Sequence, residues 1–103
     1  MILDEIMEQL PGTRLANHLA GQLVRSGTSP ALNYGEAQSA ESQKDFIHKM
    51  QVILKELRET KICFKIISRK KYIINDSISK VIRENEELIA IFAQSVKTAK
   101  SKL

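Results

Sequence analysis

The residues with the clearest potential for binding chemistry are cations in the middle of the chain. Segment 44–71 carries nine basic residues against three acidic ones, and its net charge of +6 exceeds the +4 of the whole 103-residue chain. The preceding segment, 1–43, is acidic (−3), and the following segment, 72–103, is nearly neutral (+1). Lys and Arg at this density can neutralise phosphates and release counterions from nucleic acid.

Other reactive residue types lack the spacing that catalysis or metal binding requires. The stretch "SGTSPALNYG" at 26–35 has hydroxyls that leave it as a candidate anion site, but it lacks the pattern of a phosphate-binding loop. His18 and His48 have no second ligand at metal-binding spacing, which favours structural or surface histidines. Cys63 has no cation one helical turn away that would activate its thiolate. We therefore expect a protein without enzymatic activity, metal or cofactor.

Composition indicates one helical domain over residues 1–103. Apolar residues make up 43% of the chain and aromatic residues only 5%, while Gly and Pro are scarce. This mixture favours an all-α fold over a β-sandwich or barrel. The sequence has no apolar run of membrane-spanning length and no signal peptide pattern, so we expect no membrane partner. Its single cysteine suits a reducing cytoplasm.

Apolar residues at steps of three and four predict four helices. A short first helix spans the positions Ile2, Ile6 and Leu10 and stops at Pro11-Gly12. The others are predicted over 13–37, 42–68 and 75–100. Because the turn between the last two helices is short, they must form an antiparallel hairpin. The predicted fold is an up-and-down four-helix bundle whose first helix is too short to cover its neighbours.

Local signals support these helix boundaries and define the buried faces. Ser42 and Asp45 have the spacing of a capping box, and Asn75 or Asp76 can cap the fourth helix. The fourth apolar stripe includes one polar residue, Asn85. The stripe predicted to be buried in the second helix consists of Leu15, Ala16, Leu19, Ala20, Leu23 and Val24.

On a helical wheel, the outer face of the third helix is basic. A sector about 100° wide, opposite the apolar stripe, holds His48, Gln51 and most of the cations. The basic ridge, which is the candidate nucleic-acid-binding surface, consists of Lys44, Lys55, Arg58, Lys65, Arg69, Lys70 and Lys71. Because Tyr34 and Tyr72 are the only candidates for base stacking, we expect backbone or shape contacts. The alternative is a solvated face supported by a Lys55–Glu59 pair.

Part of the sequence resembles a known protein family. The stretch from "GQLVRSGTSPALNYGEA" through "DFIHKMQVILKELRET" is similar to bacterial four-helix-bundle proteins encoded in intervening sequences of 23S ribosomal RNA genes. The similarity covers about residues 10–100. The sequence departs from the family pattern at Glu36-Ala37, where Glu-Gly is usual. The matching residues are Gln22, Leu23, Arg25, Ser29, Pro30, Asn33, Glu36, Phe46, Leu54, Glu56, Leu57 and Glu59.

The resemblance implies more than a fold. It implies that Pro30 kinks the second helix instead of lying in a linker, and that the first helix is several turns longer in relatives. It also implies a homopentameric ring. One branch of the family assists reverse transcriptases of diversity-generating retroelements and binds nucleic acid. The leading hypothesis is thus an oligomeric accessory protein that binds RNA or DNA and serves a reverse transcriptase or ribosomal RNA. The alternative is a structural or protein-interaction module.

Overall fold

The computed structural model describes the backbone of residues 3–103 and the side chains from Glu5 onward. Over this range the chain forms α1 (Leu3–Glu8), α2 (Arg14–Gln38), α3 (Gln43–Arg69) and α4 (Asp76–Ser101). The all-α class is confirmed, and the bounds of α2, α3 and α4 differ from the predicted ones by one residue. Ile2, which the apolar spacing assigned to the first helix, lies outside the described residues.

Side-chain caps explain why three helices begin where they do. Thr13, Ser42 and Asn75 each accept a hydrogen bond from a backbone amide of the following first turn, at 3.2, 3.0 and 3.0 Å. Each bond satisfies an amide that has no partner within its helix. Only half of the predicted capping box is observed, because the Asp45 carboxylate lies 3.9 Å from Lys49 Nζ.

The segment around Pro30 belongs to α2, which continues from Arg14 to Gln38. A proline in a helix leaves the carbonyl four residues earlier, here that of Ser26, without its usual donor. The nearby Thr28 hydroxyl donates to the Val24 carbonyl at 2.6 Å and does not serve Ser26. The structure thus confirms a helix in place of a linker, and the kink itself stays a prediction.

The centre of the molecule is α3. Helices α2 and α4 pack along α3, and in the described part of the chain they make no close backbone contact with each other. Helix α1 contacts α2 and α4 at one end only. The fourth position of the bundle is therefore occupied over a short length, as the sequence predicted.

Two apolar clusters form the core, and a polar layer lies between them. The first cluster, at the end covered by α1, includes Ile6, Leu19, Leu23, Cys63, Phe64, Ile67, Ile73, Ile78 and Val81. The second, at the other end, includes Ala37, Ile47, Met50, Ile53, Leu57, Val96 and Ala99. The polar layer, formed by residues that separate these clusters along their helices, consists of Ser26, Thr60 and Asn85.

Two residues of the polar layer are hydrogen-bonded to each other, and the third has no partner among the described residues. All three residues are fully buried, and the hydroxyls of Ser26 and Thr60 are hydrogen-bonded at 2.8 Å. Asn85 has no hydrogen-bond partner for either its amide nitrogen or its oxygen among the described residues. Leaving such a group buried without a partner costs roughly 1–3 kcal/mol.

Two residues of the predicted α2 stripe are not buried. Leu15 is 39% exposed and Val24 is 45% exposed, so the prediction was wrong for both. Because α2 contacts α3 along one side and α1 only near its start, the flanks of its apolar stripe stay open. Leu15 lines an open cavity between α2 and α3.

Candidate nucleic-acid interface

Helix α3 carries five of the seven basic-ridge residues on its outer face. Its 27 residues form one continuous helix, so Lys44 and Arg69 lie about 37 Å apart along the axis. Every residue predicted for the ridge is exposed, as are His48 and Gln51. The inner face of the same helix contributes Met50, Leu57 and Phe64 to the core. The burial of that face fixes which way the cations point.

Ion pairs in the structure involve other lysines. Lys49 Nζ lies 3.7 Å from Glu36 and 3.9 Å from Asp45, and Lys61 Nζ lies 3.7 Å from Glu86. Across the part of the chain that the structure describes, none of the seven ridge cations forms an ion pair. The paired lysines and the ridge cations are thus distinct sets on the same helix.

The Lys55–Glu59 pair expected for a solvated face is absent from residues 5–103. Glu59 instead accepts a hydrogen bond from the Gln22 side chain at 3.4 Å, which joins α2 to α3. The carboxylate is therefore turned towards α2. Lys55 stays available for an external anion.

The C-terminal end of α3 concentrates the ridge charge. Lys70 is the C-cap, and Lys71 has a left-handed backbone with φ of 55°. The amide of Lys71 donates to the Ser68 carbonyl and that of Tyr72 to the Ile67 carbonyl, at 3.1 and 3.2 Å. This closed turn places two cations directly beyond Arg69. Positive charge here also interacts favourably with the partial negative charge of the helix end.

One exposed apolar residue in the ridge was missed by the sequence reasoning. Ile62 is 59% exposed and lies between Arg58 and Lys65 on α3. It borders an open cavity of about 240 Å³, called the α2/α3 groove. The sequence did contain a signal, since Ile62 falls in the basic sector of the helical wheel. The residues lining the α2/α3 groove are Leu15, His18, Leu19, Gln22, Glu59, Ile62, Cys63 and Ile66.

A second open cavity, of about 300 Å³, lies on the opposite side of α3. This α2/α4 groove has Leu57 of α3 as its floor, and its aromatic walls are Tyr34 and Phe92, whose ring centroids are 5.8 Å apart in an edge-to-face arrangement. It occupies the position that α1 leaves uncovered. Its lining residues are Gly27, Pro30, Ala31, Tyr34, Leu57, Leu88 and Phe92.

The groups considered for other chemistry are placed as follows. His18 and His48 are both exposed. Burial raises the pKa of the Cys63 thiol above its ordinary value, and Glu59 adds to that rise while Arg25 opposes it. Among the described residues, no three His, Cys, Asp or Glu side chains converge as a metal site. No helix in that part of the chain combines the length and apolarity needed to cross a bilayer.

Comparison with known proteins places this geometry in a family. The family described as "23S rRNA-intervening sequence protein" matches residues 2–94. The chain is similar to a crystal structure of a protein of unknown function from the S23 ribosomal protein family of Bacteroides thetaiotaomicron VPI-5482. The sequence identity is 27%, and the TM-score of the two structures is 0.82. The similarity covers 92% of this chain and 88% of that chain. No curated protein matches the sequence.

Proposed function

Because the chain belongs to the 23S rRNA-intervening sequence protein family, we propose that it is a non-enzymatic, oligomeric RNA-binding protein. In this proposal the basic ridge holds the phosphate backbone of structured RNA. The protein acts as an accessory factor to ribosomal RNA or to a reverse transcriptase in a bacterial cytoplasm. The family match and the helical fold support the setting, and the charges of α3 support the ligand class.

The observation that carries the proposal is the contrast between paired and unpaired lysines. Lys49 and Lys61 have carboxylate partners within 3.7 Å, whereas the ridge cations have none among the described residues. An exposed, unpaired cation can contact a phosphate without first breaking an ion pair within the protein. Each phosphate that a ridge residue neutralises releases condensed counterions, which favours binding.

The composition of the ridge also favours recognition of RNA shape over recognition of base sequence. Its members are Lys and Arg. Tyr34 lies on α2 in the α2/α4 groove, and Tyr72 is half-buried against the first core cluster. Without an aromatic platform on the ridge, successive bases have no surface on which to stack. Phosphate contacts position an RNA without reading its sequence. We therefore expect little sequence preference.

Assembly is the second part of the proposal. The α2/α4 groove exposes apolar walls, and the unpartnered Asn85 amide lies one turn from Leu88 on α4. Exposed apolar area of this kind usually marks an interface. A second copy that covered the groove would bury that area. The homopentameric ring is the assembly that the family resemblance implies. A ring would present the basic ridge several times, which strengthens binding through avidity.

A double charge reversal on α3 tests the ligand assignment. Lys55→Glu with Arg58→Glu should leave the circular dichroism spectrum unchanged, because both side chains are exposed. It should abolish retention on structured RNA at about 0.1 M salt, where charges are only partly screened.

The matched control reverses two exposed lysines elsewhere. Lys97→Glu with Lys100→Glu has the same spacing of three residues and the same change in net charge, but lies on α4. It should retain RNA binding. Equal loss of RNA binding in both variants would mean that net charge alone causes the effect, and would contradict the assignment of binding to the ridge. If the wild-type protein bound neither RNA nor DNA at low salt, the protein-interaction alternative would replace the proposal.

A further inference from the structure

The α2/α3 groove adjoins the basic ridge through Ile62. This residue is four positions after Arg58 and three before Lys65, so on a helix its side chain is a neighbour of both. It is 59% exposed, although its sector of α3 otherwise carries polar and basic residues. A single exposed apolar side chain is common on a protein surface, but Ile62 borders both an open apolar groove and the unpaired cations of the ridge.

The groove combines an apolar floor with a polar rim. Leu19 and Cys63 are buried at its base. Above them, the Gln22 side-chain amide donates to Glu59 Oε2 at 3.4 Å, and His18 is exposed at the edge. These groups place hydrogen-bonding atoms around an apolar surface, although the Gln22 side-chain oxygen already accepts from Arg25.

A nucleobase has complementary chemistry. It is planar and apolar on its two faces, which suit the apolar floor of the groove, and every base also has polar edge groups that can reach the groove rim. Proteins that recognise RNA specifically bind unpaired bases in this manner, because bases in a duplex are stacked and inaccessible.

Charge complementarity selects this occupant over an apolar peptide. The groove wall formed by Ile62 and Ile66 lies one helical turn from Arg58, Lys65 and Arg69. These cations have no ion pair among the described residues, so the groove opens onto a surface suited to a polyanion. We propose that the α2/α3 groove receives one unpaired nucleobase of an RNA whose phosphates lie on the basic ridge. This inference rests on the proposed RNA-binding function.

The inference adds a specificity that the ridge alone does not supply. A perfect duplex satisfies only the cations, whereas an RNA with a bulged or looped-out nucleotide also fills the groove. We expect about a 10-fold preference for the bulged RNA, because burying part of a base against Leu and Ile side chains gives a factor of this size. The preference concerns the presence of an unpaired base and requires no particular sequence.

Two RNAs and two matched variants test the inference. The RNAs are one hairpin duplex with and without a single-nucleotide bulge, and binding is measured by fluorescence anisotropy at about 0.1 M salt. Ile62→Ser removes the apolar wall. Ile91→Ser is the control, because Ile91 lies on α4 and is also 59% exposed.

The wild-type protein and Ile91→Ser should both prefer the bulged RNA, and Ile62→Ser should bind both RNAs as the wild type binds the duplex. Equal wild-type affinity for both RNAs would overturn the base-binding inference and leave the proposed function intact. Absence of binding to either RNA at low salt would instead overturn the proposed function. If Ile62→Ser kept the preference for bulged RNA but lost its oligomeric mass by light scattering, the groove would be an interface between copies.

Discussion

Two surfaces on opposite sides of α3 lack a partner within the described chain. They differ in how much the missing partner raises the free energy of the folded state. The basic ridge faces outward with unpaired cations, which water solvates well. The α2/α4 groove exposes Tyr34, Leu88 and Phe92 and lies near the buried, unpartnered amide of Asn85. Apolar area in water and an unsatisfied buried amide both raise the free energy of the folded state.

This difference separates two kinds of interface. In the proposed oligomer a second copy covers the α2/α4 groove, so folding and assembly would be coupled there. The basic ridge costs the isolated chain little, so it can remain free until a polyanion arrives. A protein built this way would assemble first and bind nucleic acid afterwards. Substitutions in the two surfaces should therefore affect different measurements.

The largest effect is expected from a charge placed in the α2/α4 groove. Phe92→Asp would put a carboxylate where we propose that a second copy packs, at an effective cost of several kcal/mol for an unpaired buried charge. Light scattering at micromolar concentration should then give a monomer mass, against a pentamer mass for the wild type. Ile91→Asp adds the same charge at the adjacent, more exposed position and should still assemble. A monomeric wild-type protein would remove the basis for this prediction.

A smaller effect on assembly is expected from replacing Pro30, the site of the predicted kink in α2. Pro30→Ala restores a helical amide donor for the Ser26 carbonyl and should leave the helix content unchanged. We expect weaker assembly, because Pro30 lines the α2/α4 groove and its predicted kink would set how α2 meets a neighbouring copy. The measurement is the concentration dependence of the mass. An unchanged oligomer with unchanged thermal stability would show that the proline has no structural role.

The smallest effect concerns Asn85. In the monomeric Phe92→Asp background, Asn85→Leu removes the unpartnered amide and should raise the free energy of unfolding by about 1–3 kcal/mol. Urea denaturation measures the change. Thr60→Val is the contrasting variant, since Thr60 is hydrogen-bonded to Ser26, and it should lower the stability. Destabilisation by Asn85→Leu would mean that the amide has a partner in the folded chain.

The sequence predicted those features that depend on one helix at a time. Thr13, Ser42 and Asn75 mark helix starts through bonds to their own first turns, so the helix bounds were accurate to one residue. The ridge followed from the 100° rotation per residue in α3. The motif that includes Pro30 led to the family, which the match over residues 2–94 confirms.

Features that depend on the placement of two helices were not predictable. The exposure of Leu15 and the α2/α3 groove that it lines both follow from how α2 lies on α3. The Lys49–Glu36 pair joins two helices, so the sequence alone did not separate paired from unpaired lysines. Asn85 was placed correctly in its stripe, but its lack of a partner depends on all neighbouring helices.

The salt dependence of RNA binding tests the central claim most directly. If seven ridge cations neutralise phosphates, the plot of log affinity against log salt should have a slope of about −6 for the wild-type chain on a duplex. Lys55→Glu with Arg58→Glu should flatten that slope in any binding that remains, while Lys97→Glu with Lys100→Glu should preserve it. A wild-type slope near zero, or the same slope in both variants, would contradict phosphate binding by the basic ridge.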